Sequence, residues 1–474
     1  MTDRPTLSLE EVRFYERDVT LRMPFRFGIV TLTKAPQTYV RVKIRLADGT
    51  EALGLSSELL APKWFDKSPD LTNEENFDQL RRALAIAAEA YLAAGRLTAF
   101  GLHVAANAAV ASKAEAAGLP PLVASFGTAL LDRAILDALC KAKGVSVFAA
   151  TRTNLFDLSA ALTPDLDGFD LDAFLATLSA APVIAARHTV GLVDPISAAD
   201  LPADKRVGDG MPETLDEVIE TYGVTYFKLK VGGDIEADLA RLKAIAAVLD
   251  TLPAYQATLD GNEQYRDAEG VLALWRAIEA TPELDRMRGA ILFIEQPIAR
   301  TRALEADIAA LAAVKDVEID ESDATLDAFL EAKALGYRGV SSKSCKGFYR
   351  SLLNRARCEK WNGEPGGGRY FMSAEDLTTQ AGTAVEQDLA LASLIGCTHV
   401  ERNGHHYVNG MAVAPVDEQA RYLAAHPDLY HETHGAVRVR IEGGMIAIAS
   451  LDQPGLAGGA EPDYEALRSV TYAA

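Results

Sequence analysis

The chain has 474 residues, 49% hydrophobic and 24% charged, which is the make-up of a globular protein long enough for two or three domains. A formal net charge of −20 argues against a nucleic-acid surface, because Lys and Arg supply that affinity. Cys140, Cys345, Cys358 and Cys397 show no C-x-x-C spacing, so a disulfide framework is excluded and they read as buried thiols.

Residues 9 to 58 read as strands: YVRVKIRL alternates, and ADGTE supplies an Asp-Gly turn before ALGLSSEL. Residues 72 to 146 read as helices, among them NEENFDQLRRALAIAAEAYLAAG and TALLDRAILDALCKAKG. From about 186, strand and helix alternate strictly. Eight strands are expected to begin at about 188, 224, 256, 290, 316, 338, 369 and 397. Such alternation means a parallel sheet, and eight units over about 220 residues suit a closed (β/α)8-type barrel. EPGGGRY (364 to 370) reads as a flexible loop, because it lacks both phosphate-binding glycine patterns. AVRVRIEGGMIAIAS reads as a hairpin around Gly-Gly that packs back on the N-terminal unit, since a closed barrel offers it no edge. The fold class is α/β, divided into an α+β unit over 1–185, the barrel over 186–410, and a segment over 411–474 that completes the first unit. The N-terminus lacks the apolar core of a signal peptide, and no apolar run approaches the roughly 18 residues of a spanning helix, so a cytoplasmic location is expected, with no membrane or nucleic-acid partner.

Five polar clusters close successive apolar runs: Lys228-Leu-Lys230, Asp260-Gly-Asn262, Glu295-Gln-Pro297, Asp320-Glu-Ser322 and Lys343-Ser-Cys-Lys346. One charged group at the tip of each parallel strand builds one site at one barrel face. Asp260, Glu295 and Asp320 are three hard oxygen donors whose mutual repulsion a divalent cation would relieve. An all-oxygen set favours Mg²⁺, or Mn²⁺, over zinc. Any one of them alone is more often a helix cap; three in register between two lysine clusters favour the metal reading. Lys228 and Lys230, two apart in a strand, point the same way. Beside a cation, the pKa of one of them is expected to fall toward neutrality, where an amine works as a base. Lys343 comes four strands later, from the other side of the barrel. Lys346 reads as a backbone-bonding or solvated lysine.

Together these motifs resemble the enolase superfamily, in its mandelate racemase and muconate-lactonizing enzyme branch. PFRFG, VRVKIRLADGTEALG and ALLDRAILDAL resemble that branch's capping domain. FKLKVG, LDGNEQY, FIEQP, IDES and SSKSCKG resemble its barrel motifs, in family order. The resemblance implies that Asp260, Glu295 and Asp320 bind Mg²⁺ and that Lys230 and Lys343 act as acid/base on opposite faces of a small carboxylate substrate. Lys228 would hold the substrate carboxylate or tune Lys230. Asn262 and Glu321 would be supporting groups, with Glu321 reaching a lysine. The pairing of a lysine base with Mg²⁺ is the one given for this superfamily as a general pattern. A homo-oligomer is also implied. The reaction would remove a proton α to a carboxylate, giving an enediolate, with racemisation or epimerisation ahead of dehydration or cycloisomerisation. A Schiff-base lyase on a barrel, with Lys343 as nucleophile, is the alternative from another class.

The chain departs from the branch at three places. Gly-Phe-Tyr follows Lys346, the seventh strand ends Met372-Ser-Ala-Glu375-Asp376 without the His of racemase-like members, and extra residues occupy about 146 to 185. Glu401, His405 and His406 follow the eighth strand, where they could meet substrate or simply bond the backbone. Phe25, Phe27 and Trp64 fall where capping loops would cover the mouth, or pack in a core.

Overall fold

The computed structural model describes residues 4–474 except 28, 29, 306 and 367, and leaves out the side chains of Phe27 and Val30. The expectation for Phe27 and the centre of the 364–370 loop therefore lie outside the described residues.

The N-terminal strands are β1 (Leu7–Phe27), β2 (Val30–Leu46) and β3 (Glu51–Leu59). They pair antiparallel in chain order. Val40, Val42, Ile44 and Leu46 are buried while Arg41, Lys43 and Arg45 are only partly so, as a sheet with one covered face requires. The cover is helical: α1 (Asn73–Ala93), α2 (Ala99–Ala116) and α3 (Pro121–Lys143). A Thr72–Glu75 capping box starts α1, and Gly144 in the left-handed conformation stops α3. Over 146–185 the chain adds two short helices, Val147–Arg152 and Leu171–Thr177. Asp165, between them, holds Arg357 with Oδ1 at 2.7 Å and Oδ2 at 2.9 Å, which ties the extra segment to the helix Phe348–Asn362.

Eight parallel strands follow: β4 (Val183–Val190), β5 (Tyr226–Lys230), β6 (Gln256–Asp260), β7 (Ile291–Glu295), β8 (Val317–Ile319), β9 (Gly339–Ser342), β10 (Phe371–Ala374) and β11 (His399–Arg402). They form one curled sheet in chain order, and β11 returns to pair with β4. The ladder between β10 and β11 is absent among the described residues. Buried runs such as Ala257, Leu259 and Ile294 are what a sheet covered on both faces demands.

The C-terminal segment differs from expectation. Strands β12 (Tyr430–Thr433) and β13 (Ala436–Val439) make their own hairpin. Strand β14 (Met445–Ala447) pairs antiparallel with β4, not with the N-terminal sheet. The reason is register: β5 first meets β4 at Arg187, which leaves residues 183 to 185 with an open edge. Among the described strands of this segment, β15 (Arg468–Val470) pairs with the N-terminal sheet, at β1 through Phe14, Tyr15 and Glu16, and Glu418 also reaches that sheet, pairing with Arg17 at 2.7 Å. All four cysteines are buried and free, as expected. No described helix is long and apolar enough to cross a membrane.

Candidate active site

Register brings the charged strand ends together. Lys230 pairs with Asp260, Asp260 with Glu295, and Glu295 with Glu318. Asp320 then stands one pleat beyond Glu318, on the same face. Every one of these side chains is buried. The turns after the strands are bent to fit. Asn262, Glu263 and Gln296 have φ of 42°, 67° and 30°, a region that costs non-glycine residues energy and that marks functional sites. Asn262 N donates to Asp260 Oδ1 at 2.6 Å. Gln296 Oε1 accepts from Asp320 N at 2.8 Å and Ser322 N at 3.1 Å, while its Nε2 donates to Ser322 Oγ at 2.7 Å. The Gln of Glu-Gln-Pro thus locks the Asp-Glu-Ser turn.

Lys228 lies at the centre. Its Nζ is 2.6 Å from Glu295, 2.9 Å from Asp260, 2.9 Å from Glu401 and 3.1 Å from Glu375. Lys230 is bonded to Asp260. Lys343 meets Asp320 at 2.8 Å and also bonds Glu375. Lys346 is buried rather than solvated and bonds the backbone as expected, donating to Ser341 O at 2.5 Å and Asp320 O at 3.2 Å; it also reaches the carboxylates of Asp320 at 3.3 Å and Asp323 at 3.2 Å. Asn262 Nδ2 donates to Glu321 Oε1 at 3.1 Å, and Glu321 faces Lys67 of the N-terminal unit at 3.6 Å. Glu401 accepts from Thr189 and from Asn403 Nδ2.

Three carboxylates offer oxygens that all lie within 4.8 Å of one another: Glu295, Asp320 and Glu375. Glu295 and Asp320 are two of the three ligands expected from sequence. Asp260 stands outside this trio, drawn toward Lys228 and Lys230. Sequence reasoning missed Glu375, noting at its strand only the lack of a His. It also missed the wholly buried Arg187, whose guanidinium holds Glu375 at 2.9 Å. The available signal was an arginine inside a buried strand, which has to face a carboxylate.

The expectation of a lowered pKa concerns a lysine beside a cation; the chain's own groups act on these lysines in the opposite sense. Burial and Lys228 push Lys230 down, but Asp260, Glu401 and Glu295 outweigh them and its pKa rises. Burial also opposes the charge of Lys343, yet Asp320 and Glu375 raise it well above the ordinary lysine value. Glu295 moves the other way from a free carboxylate: burial, then Asp260 and Glu375, raise it well above the usual range.

A cavity opens over these groups. Its floor carries Lys228, Lys230, Asp260, Asp320, Lys343, Glu375 and Glu401, and its walls carry Phe25, Leu32, Trp64 and Leu377. Trp64 lies with its ring centroid 5.1 Å from Lys343 Nζ. Arg300, after β7, donates to the carbonyls of Trp64 at 2.9 Å and Phe65 at 3.0 Å, pinning that N-terminal loop over the strand ends. Phe25 and Trp64 therefore border the cavity, whereas His405 and His406 do not.

The family model for enolase C-terminal domain-like proteins, of the mandelate racemase and muconate-lactonizing enzyme type, matches residues 210–466. The chain belongs to the enolase superfamily, in that branch. It is an enzyme of the isomerase or lyase kind that makes up the superfamily. Solved structures share the fold at low identity. An enolase from Bradyrhizobium complexed with magnesium and mandelic acid is 18% identical, with a TM-score of 0.60 over 99% of this chain and 100% of that one. An enolase-superfamily member from Roseovarius nubinhibens is 18% identical, with a TM-score of 0.59 over 98% and 99%. A mandelate racemase/muconate lactonizing protein from Herpetosiphon aurantiacus is 17% identical, with a TM-score of 0.54 over 93% and 98%. No curated protein matches the sequence.

Proposed function

We propose that this enzyme removes the proton α to the carboxylate of a small acid and returns a proton to the opposite face, as a racemase or epimerase. The observation that carries the reading is the pair of lysines, Lys230 from β5 and Lys343 after β9, on the floor of one cavity around a carboxylate cluster. The scaffold is read as a (β/α)8-type barrel over 186–410, capped by 1–185 together with 411–474.

The residues fit a bound Mg²⁺. The donors are all carboxylate oxygens, and Glu295 Oε2 is buried without a hydrogen-bond partner, a costly state that a cation would relieve. Crowded carboxylates that hold Glu295 above its ordinary pKa point the same way. Glu295 and Asp320 would hold the ion, with Asp260 as the third ligand implied by the family pattern; Mn²⁺ is the nearest chemical substitute. The magnesium and mandelic acid bound by the Bradyrhizobium enolase support a divalent ion and a small carboxylic acid here. The cation supplies fixed positive charge for the negative charge that grows on the substrate carboxylate when its α-proton leaves.

The remaining work falls to the chain's own side chains. Lys228 Nζ donates hydrogen bonds to the substrate carboxylate. One of Lys230 and Lys343, as the neutral amine, takes the proton, and the other, as the ammonium, returns one to the opposite face; the pKa of the one that acts as base would fall once a divalent cation occupies the carboxylates that hold both amines charged. Glu375, braced by Arg187, fixes the positions of Lys228 and Lys343. Phe25, Leu32, Trp64 and Leu377 exclude water, which strengthens every charge interaction below them. If the substrate carries a β-leaving group, the same proton removal gives dehydration or cycloisomerisation instead.

The test is NMR in D2O with Mg²⁺ and libraries of acid sugars, N-acyl amino acids and dipeptides. Deuterium should appear α to a carboxylate. Lys230→Ala and Lys343→Ala should each lower turnover about 10²–10⁴-fold. Undiminished exchange in either variant removes that lysine from the chemistry.

A further inference from the structure

A second cleft, about 980 Å³ with its solvent space included, lies apart from the catalytic cavity and shares no lining residue with it. It opens between the segment after β11 and the β12–β13 hairpin. Arg438, Arg402, His405, His431 and His434 border it, and Glu442 is its one carboxylate. Arg402 is already engaged by Asp376 at 3.1 Å. Arg438 is not so compensated. It is buried, and its Nε and Nη2 donate only to carbonyl oxygens, those of Thr433 at 2.9 Å, His434 at 3.4 Å and the Asn409 side chain. Among the described residues its Nη1 has no acceptor, and no carboxylate forms an ion pair with it.

The carboxylate whose charge Arg438 feels, Asp209, is already paired with Arg22 at 2.6 Å, and a buried guanidinium without an ion pair of its own is costly. The neighbouring groups feel the same field. Burial, then Arg440 and Arg438, push the His431 imidazole down. Burial, then Arg402, push down His405. In a chain of net charge −20, two arginines against one carboxylate in a cleft lining are a local feature and not a reflection of the whole surface. Val385, Val408 and Ile441 also line it, so the cleft offers apolar wall beside the charge.

We propose that this cleft binds a small oxyanion, a carboxylate or phosphate group, on Arg438 Nη1, with His431 and His434 as further hydrogen-bond donors. A guanidinium nitrogen whose N–H bonds are unused suits such an anion, and the apolar wall suits a short carbon chain attached to it.

Calorimetric titration of the full-length protein at low ionic strength, with inorganic phosphate in one arm and succinate in the other, tests this. At least one anion should saturate a single site per chain. Arg438→Gln should weaken that site by about tenfold or more, while Lys343→Gln, in the catalytic cavity, should leave it intact. His431→Gln, at a half-buried position, is the second variant should Arg438→Gln fail to fold, and it should weaken binding severalfold. Saturation by phosphate alone identifies a phosphate site, and saturation by succinate alone a carboxylate site. Lack of saturation by both anions overturns the proposal. So does unchanged affinity in the cleft variants, or loss of binding in Lys343→Gln.

Discussion

Glu386 is buried on the helix Thr383–Leu394, and Tyr430 Oη donates to its Oε1 at 2.8 Å. Burial pushes its carboxyl up to about 8; the Tyr430 bond opposes this and Asp137 adds to it. In the unfolded chain the same group titrates near about 4.3. Its folded pKa is therefore raised, so its stabilising contribution is complete below about pH 4.3 and is lost as pH rises through about 8. Within that window each pH unit costs about 1.4 kcal/mol. Urea unfolding at about pH 5.5 and about pH 8 should show the wild type losing about 2–3 kcal/mol relative to Glu386→Gln. Parallel pH profiles for the two proteins would refute the assignment. The neighbouring logic at the site is reversed: Asp260 is held down to about 2, because Lys228 and Lys230 outweigh the effect of burial.

At the level of elements, β3 and α3 approach more closely than side chains normally allow. A Cβ on Gly54 would lie 2.1 Å from Ala134 O and 2.4 Å from Ala138 N, backbone atoms that cannot swing aside. Gly54→Ala should therefore cost about 3 kcal/mol or more, read as a fall in thermal midpoint; a shift within error would contradict this packing. The contact matters to the site. Arg133 on α3 donates to Ser344 Oγ at 2.9 Å, and Ser344 follows Lys343 directly. Glu58 on β3 accepts from Arg133 at 3.2 Å. Displacing α3 should thus also lower turnover, since the loop that aims Lys343 is braced from the N-terminal unit.

Across the whole molecule, the site is assembled from pieces distant in sequence. Lys67 reaches the carbonyl of Asn262 at 3.1 Å, Arg300 reaches back to Trp64 and Phe65, and Arg22 of β1 pairs with Asp209 at 2.6 Å. An ion bound only by the folded chain should stabilise all of these contacts together. At a hundredfold excess over its dissociation constant the gain is about 2.7 kcal/mol. Scanning calorimetry should show the thermal midpoint rising by several degrees with Mg²⁺ and falling back with EDTA. Asp320→Asn should lose most of that rise. A wild-type midpoint indifferent to Mg²⁺ would count against the metal site.

Strict βα alternation and evenly spaced polar strand ends are legible in one dimension. Parallel strands with buried faces need apolar runs, and a site at one barrel face needs its charges at the run ends. Lys228, Lys230, Asp260, Glu295, Asp320 and Lys343 accordingly stand out in the amino-acid sequence by itself. Glu375 and Arg187 do not, because a carboxylate after Met-Ser-Ala and an arginine in a short strand show their meaning only when they face each other across the sheet. The place of β14 is also beyond the sequence, since it depends on how late β5 joins β4. The protonation of the lysines is likewise decided in three dimensions: an amine's pKa follows its nearest charges, and chain order does not say which carboxylates those are.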